Sequence, residues 1–163
     1  MDEENKIKEI LNSAYHILTY QSQSRKELEL KLKKKGFKNS IISKTLQYLQ
    51  KNNYINDLEF ALQFGKSKIN HYFYGKRLLE KELLRKGIEA HITQEVIDRL
   101  YSETDELKVA KQLVLKRMRI YKNLNIEVAK RRLMALLQRK GFSADIIINL
   151  NWEKIFQATT DGD

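Results

Sequence analysis

One short phrase occurs three times in this chain: Leu32-Lys33-Lys34-Lys35-Gly36-Phe37, Leu83-Leu84-Arg85-Lys86-Gly87-Ile88 and Leu137-Gln138-Arg139-Lys140-Gly141-Phe142. The three glycines stand 51 and 54 residues apart. Self-similarity at that period sets the architecture before any single residue does, because each unit buries its apolar face against its neighbours. It also moves the search for function from a pocket to a surface carried along the chain.

Leucines lie four and eight residues before each glycine: Leu32 and Leu28, Leu83 and Leu79, Leu137 and Leu133. That spacing puts them on one helical face. Ile41, Ile92 and Ile146 follow each glycine by five residues, and Thr45-Leu46-Leu49 answers to Val96-Ile97-Leu100. A second amphipathic helix therefore follows each glycine. The glycine closes one helix and permits the turn into the next, since it reaches the left-handed conformation without a Cβ clash. The cations just before it (Lys34-Lys35, Arg85-Lys86, Arg139-Lys140) sit where the helix dipole favours positive charge, which explains part of the basic pattern. It does not explain Lys31, Lys33, Lys130, Arg131 and Arg132 further upstream.

A further helix precedes these two in each repeat. Its landmark is an alanine on the apolar face, Ala14, Ala61 or Ala110, where a neighbouring helix can approach closely. Start signals agree. Ser24-Arg25-Lys26-Glu27 is a capping box, and Asn56-Asp57-Leu58-Glu59 opens a helix in the same way. Ser102 or Thr104 is expected to cap the first helix of repeat three, and Ser143 its last. No segment reads as a strand. The expected fold is all-α: three tandem three-helix repeats over residues 1–52, 53–102 and 103–157, in an elongated, curved, solenoid-like array. Residues 158–163 read as a disordered tail.

Charge is blocked along the chain rather than scattered. The net charge is +10 over 163 residues. Residues 24–51 carry nine cations against two glutamates, and residues 108–140 eleven against one. The stretch between is slightly acidic. Two basic blocks point to contact with a polyanion, against the plainer reading of a solvated surface. There is no proline and no cysteine, so no disulfide and no thiolate metal site, which fits a reducing cytosol. No apolar run is long enough to span a membrane. The acidic Met1-Asp2-Glu3-Glu4 is unlike a signal peptide, so a cytoplasmic protein is expected.

Little points to catalysis. Gly65-Lys66-Ser67 matches the end of a phosphate loop, but Phe60 stands where that loop needs a glycine and the preceding segment reads as helix. His16, His71 and His91 share no helical face, and no metal or cofactor is expected. Glu80 and Glu82 point in different directions on a helix. The aromatic run His71-Tyr72-Phe73-Tyr74 lies beside Gly75-Lys76-Arg77. Such aromatics either pack a helix junction or, where exposed between cations, stack the bases of a single strand. If Phe73 faces the core, Tyr72 and Tyr74 cannot both do so.

The order of these landmarks resembles the RecX family, bacterial modulators of the RecA recombinase. The middle of the chain carries the most specific stretch: Tyr54-Ile55-Asn56-Asp57 with Phe60-Ala61, then Gly75-Lys76-Arg77-Leu78 and Glu82-Leu83-Leu84-Arg85-Lys86-Gly87-Ile88. Ser24 to Leu28 with Lys35-Gly36-Phe37 is similar to the family's first repeat, and Leu137 to Ser143 to its third. The resemblance covers roughly residues 12–150. Where the family carries two aspartates this chain has Asn56-Asp57, and a neutral side chain still caps the helix. Asn151 and Lys154 depart from positions that are apolar in the first two repeats.

The resemblance implies function by binding. Family members are thought to lodge in the groove of the RecA–single-stranded-DNA filament, where they block extension and damp ATPase and strand exchange. A non-enzymatic monomer that binds this filament and single-stranded DNA is therefore expected. The basic blocks nominate Lys31, Lys33, Lys34 and Lys35, then Lys116, Arg117 and Arg119, then Lys130, Arg131, Arg132 and Arg139 as contacts. Tyr72, Tyr74, Lys76 and Arg77 form a second group. The rival expectation is a general helical nucleic-acid-binding protein with no preference for RecA.

Overall fold

The structure, a computed structural model, describes residues 2–121 and 123–160. They form ten helices: α1 (Asp2–Tyr20), α2 (Arg25–Lys34), α3 (Asn39–Lys51), α4 (Asp57–Tyr72), α5 (Lys76–Arg85), α6 (Ala90–Glu103), α7 (Glu106–Tyr121), α8 (Ile126–Arg139), α9 (Ala144–Ile148) and α10 (Trp152–Thr160). No strand occurs among the described residues. The fold is all-α, and the helices follow the three-helix period read from the sequence.

The glycine corners are equivalent. Gly36, Gly87 and Gly141 have φ of +89°, +82° and +86°. In each corner the glycine amide donates to the carbonyl three residues back (Lys33, Leu84, Gln138), and the next amide donates to the leucine five back (Leu32, Leu83, Leu137). These paired bonds satisfy carbonyls that a helix end otherwise leaves without partners.

The chain forms two compact units. One comprises the chain up to Gln63 together with Leu83–Thr93, the other Phe64–Glu82 together with the chain from Gln94 onward. The helices α4, α5 and α6 of the middle repeat contribute to both.

In the first unit, Ile10, Ala14, Leu28, Leu32, Ile42, Leu46 and Leu49 form one buried cluster across α1, α2 and α3. Full burial stabilises by roughly 1.5–3 kcal/mol for each Leu or Ile. Ala14 is completely covered, as a close helix approach requires. The capping box is formed: Ser24 Oγ accepts from the Glu27 amide at 3.1 Å, and Glu27 accepts from the Ser24 amide at 3.3 Å. Asn56 caps α4 by accepting from the Glu59 amide at 3.1 Å. Asp57 accepts from the Arg25 amide at 2.7 Å. Burial raises the Asp57 carboxyl above its ordinary range, and the Arg25 amide and guanidinium offset that only in part.

In the second unit, α7 buries Val109, Ala110, Leu113, Val114 and Met118, and α8 buries Ala129, Leu133 and Leu137. Two capping expectations resolve differently. Ser143 caps α9 as read. The cap of α7, however, is Asp105, which accepts from the Leu107 amide at 2.9 Å, while the Ser102 hydroxyl donates backward to the Arg99 carbonyl. The last helix of the third repeat is broken into α9 and α10. Asn151 is the cause: it replaces an apolar residue and accepts from the Lys154 amide at 2.9 Å, starting a new helix. Trp152 then turns inward and donates to the Ile147 carbonyl at 3.0 Å. Within the segment expected to be a tail, α10 continues to Thr160, and residues 161–163 lie outside the described ones.

Candidate nucleic-acid interface

The carboxyl end of α4 builds the most concentrated group of cations and aromatics. Phe64, Lys68 and Tyr72 follow one another at four-residue spacing, so they share one face of α4. The Lys68 Nζ stands 4.2 Å from the Tyr72 ring centroid, 5.1 Å from Phe64 and 5.8 Å from Tyr74. The Lys140 Nζ approaches the Tyr74 ring to 5.4 Å, and the Lys116 Nζ the Phe73 ring to 5.2 Å. Each such contact is worth about 0.5–1 kcal/mol at an exposed site. Tyr72 is half exposed, and its ring meets that of Tyr74 edge-on at 6.4 Å.

The backbone here is fixed rather than loose. Phe73 has φ of +55°, a left-handed conformation that costs a bulky residue roughly 1–2 kcal/mol. The surrounding bonds hold it there. The Phe73 amide donates to the Ile69 carbonyl and the Tyr74 amide to the Lys68 carbonyl. The Tyr101 hydroxyl donates to the Tyr74 carbonyl at 2.7 Å. The Gly75 amide donates to the Lys140 carbonyl at 2.7 Å. Burial, helped by Glu106, raises the Tyr101 phenol well above its ordinary value, so it remains a donor at neutral pH.

The electrostatics of the group are one-sided. The Lys140 ammonium is pushed below its ordinary value, first by burial and then by the charges of Arg117 and Lys68. Among the described residues, no carboxylate lies within ion-pair distance of Lys68, Lys116, Arg117 or Lys140. Four cations thus gather beside this aromatic run, with no carboxylate paired to them among the described residues. A phosphate would relieve that repulsion, and the free Tyr72 surface offers a base a stacking partner.

Not every nominated residue joins this group. Lys116, Arg117, Tyr72 and Tyr74 do. Lys76 is exposed and turns to the Tyr101 ring at 5.5 Å, and Arg77 is exposed beside it. Arg119, Arg131 and Arg139 are exposed on α7 and α8 and Lys130 is partly buried, while Arg132 lies over the Tyr121 ring at 6.0 Å. Lys31, Lys33, Lys34 and Lys35 are exposed at the end of α2 in the first unit, where Lys33 pairs with Glu29 at 2.6 Å. The sequence reading missed Lys68 and Lys140. The Phe64-Lys68-Tyr72 spacing was a readable signal for the first, but the dipole explanation absorbed the second.

The Gly65-Lys66-Ser67 stretch is packing. Gly65 is buried inside α4, where a Cβ would sit 2.4 Å from Leu100 Cδ1 and 3.3 Å from Leu79 Cδ2. Among the described residues, no group of acidic or histidine side chains could hold a metal ion, and no helix is long and apolar enough to cross a membrane.

Comparison with known proteins gives the family of the chain. The RecX first three-helix domain matches residues 11–49, and the RecX third three-helix domain matches residues 103–149. A regulatory protein RecX of Bacillus cytotoxicus is 34% identical over 82% of this chain and 49% of its own length. One from Caldanaerobacter subterraneus subsp. tengcongensis is 31% identical over 86% of this chain and 68% of its own. The chain thus spans about half the length of several curated relatives it matches. The crystal structure of RecX from Lactobacillus salivarius superposes with a TM-score of 0.77 at 26% identity, over 96% of this chain and 98% of that one. Repeat, fold and sequence agree, and the chain belongs to the RecX family of regulatory proteins.

Proposed function

We propose that this chain binds the RecA–single-stranded-DNA filament and damps its ATPase, extension and strand exchange. It acts by occupancy rather than catalysis, as a monomer in the cytoplasm. The observation that carries the reading is the group of Lys68, Lys116 and Lys140 over the rings of Tyr72, Phe73 and Tyr74, with the charge of Arg117 acting on Lys140 and no carboxylate paired to them among the described residues. A chain of net charge +10 is drawn to a polyanion, and this group gives the attraction a place and a stacking surface. Membership of a regulatory family supports RecA as the context.

The test is the single-strand-dependent ATPase of RecA at moderate salt, titrated with substoichiometric protein. Filament binding predicts inhibition well below one protein per free strand site. It also predicts that Lys68→Ala with Arg117→Ala relieves most of that inhibition. Reversal of Lys130, Arg131 and Arg132 to glutamate asks whether α8 shares the contact. The rival, a general nucleic-acid binder, predicts inhibition only in proportion to free strand and a steep loss as salt rises.

A further inference from the structure

The first helices of the second and third repeats match in length and in ending. Each of α4 and α7 has 16 residues, and each ends on a tyrosine, Tyr72 or Tyr121. A cation stands four residues before each tyrosine, Lys68 or Arg117, and an apolar residue four before that, Phe64 or Leu113. Such spacing puts cation and ring on one helical face. All six residues belong to the second compact unit. Lys140 links the two helix ends, because the charges of Arg117 and Lys68 both act on its ammonium. Tyr72 and Tyr121 thus border one basic surface.

What covers each ring differs. Tyr72 is half exposed, and Lys68 reaches it with a compact ammonium at 4.2 Å. Tyr121 is partly buried, and the guanidinium carbon of Arg132 lies 6.0 Å from its ring centroid. The turn that brings α8 against Tyr121 is held at both ends. The Leu124 amide donates to the Tyr121 carbonyl at 2.9 Å, and Asn125 caps α8 by accepting from the Glu127 amide at 2.9 Å. Glu127 is five residues before Arg132 and so points to another side of α8. Arg132 is exposed and makes no ion pair among the described residues. Its guanidinium is planar: one face serves the Tyr121 ring, and the other is available to a second flat group. A lysine ammonium has no such plane.

We propose that the Arg132 guanidinium, laid on the Tyr121 ring, is a second stacking plate for a base of the single strand that Tyr72 engages. The inference rests on the nucleic-acid reading of the Lys68 group and gives Arg132 a role other than charge. A phosphate contact needs only a cation, so a lysine would serve equally. A stacked base needs the plane, and bases stack on guanidinium as they do on aromatic rings. Lys140, which feels both Arg117 and Lys68, meets the phosphates that join the two stacked bases. A duplex has its bases already stacked on one another and offers none to either plate. Every base has a flat face, so the pair of plates takes a single strand without choosing its sequence.

The test is fluorescence anisotropy of the full chain over a range of salt, with labelled oligothymidine and with the same sugar-phosphate strand lacking its bases. The parent chain is compared with Arg132→Lys and with Lys68→Ala combined with Arg117→Ala. Arg132→Lys should weaken oligothymidine binding about tenfold. It should leave the slope of log affinity against log salt unchanged, because the charge is kept, and leave binding of the baseless strand unchanged. Circular dichroism checks that this exposed-site variant stays folded. Unchanged oligothymidine affinity, a reduced slope, or an equal loss on the baseless strand overturns the proposal, since each makes Arg132 a charge contact or no contact. The Lys68 and Arg117 variant separates this failure from that of the wider reading. If it loses affinity and slope while Arg132→Lys loses nothing, the second plate alone is wrong. If it too loses nothing, the nucleic-acid reading of the Lys68 group is wrong as well.

Discussion

The Gly75 amide donates to the Lys140 carbonyl at 2.7 Å, one residue beyond Tyr74, whose ring lies 5.4 Å from the Lys140 Nζ. One residue thus serves twice. The Lys140 backbone ends α8 and receives the start of α5, while its side chain joins the aromatic and basic group. The candidate interface is fixed by the same corner that joins successive repeats.

The corners differ in what surrounds them, so equal substitutions should have unequal costs. Gly36→Ala meets only the left-handed backbone and should cost about 1–2 kcal/mol. Gly141→Ala meets the same φ and a Leu78 nitrogen 2.2 Å from the new Cβ, so its cost should be clearly larger. Urea denaturation of both variants measures the gap. Equal costs would mean that the Gly141 corner relaxes freely.

Ser24 both caps its own helix and donates to the Lys86 carbonyl. Ser24→Ala should cost about 1–2 kcal/mol from the cap alone, with a further loss from the part-buried Lys86 carbonyl. A double-mutant cycle pairing Glu27→Ala with Lys86→Ala should show coupling, because Glu27 accepts from the Lys86 ammonium at 2.6 Å. Strict additivity would contradict that link.

Tyr101→Phe removes the donor to the Tyr74 carbonyl and nothing else of similar size. Stability should fall by about 1 kcal/mol, and amide exchange at Tyr74 and Gly75 should speed up. Unchanged exchange there would show that Tyr101 does not hold the loop.

Asp57 gives a pH prediction. Burial raises its carboxyl, so ionisation opposes folding. The favourable contribution is complete below the ordinary carboxylate value and is lost as pH rises through the raised one. Asp57→Asn keeps an oxygen for the Arg25 amide and cannot ionise. Its stability relative to the parent chain should therefore improve from acid to neutral pH. Thermal melts across that range test the sign, and a relative loss toward neutral pH would contradict it.

Much of the fold was legible because helix ends are written locally. Gly36, Gly87 and Gly141, the Ser24 capping box and the Leu28/Leu32 spacing each act within a few residues. The break at Asn151 was visible as a misplaced polar residue but not as a new helix start, since the inward turn of Trp152 depends on the Ile147 carbonyl. The site was half legible. Charge blocks found Lys116 and Arg117, but the convergence of Lys68 and Lys140 on Tyr74 joins residues 72 apart and has no local trace.

The most direct test of the interface is the salt dependence of single-stranded DNA affinity, followed by fluorescence anisotropy for the parent chain and for Lys68→Ala with Arg117→Ala. Two lost phosphate contacts should weaken binding and reduce the slope of log affinity against log salt by roughly 1.4. An unchanged affinity and slope would place the nucleic acid elsewhere on the protein.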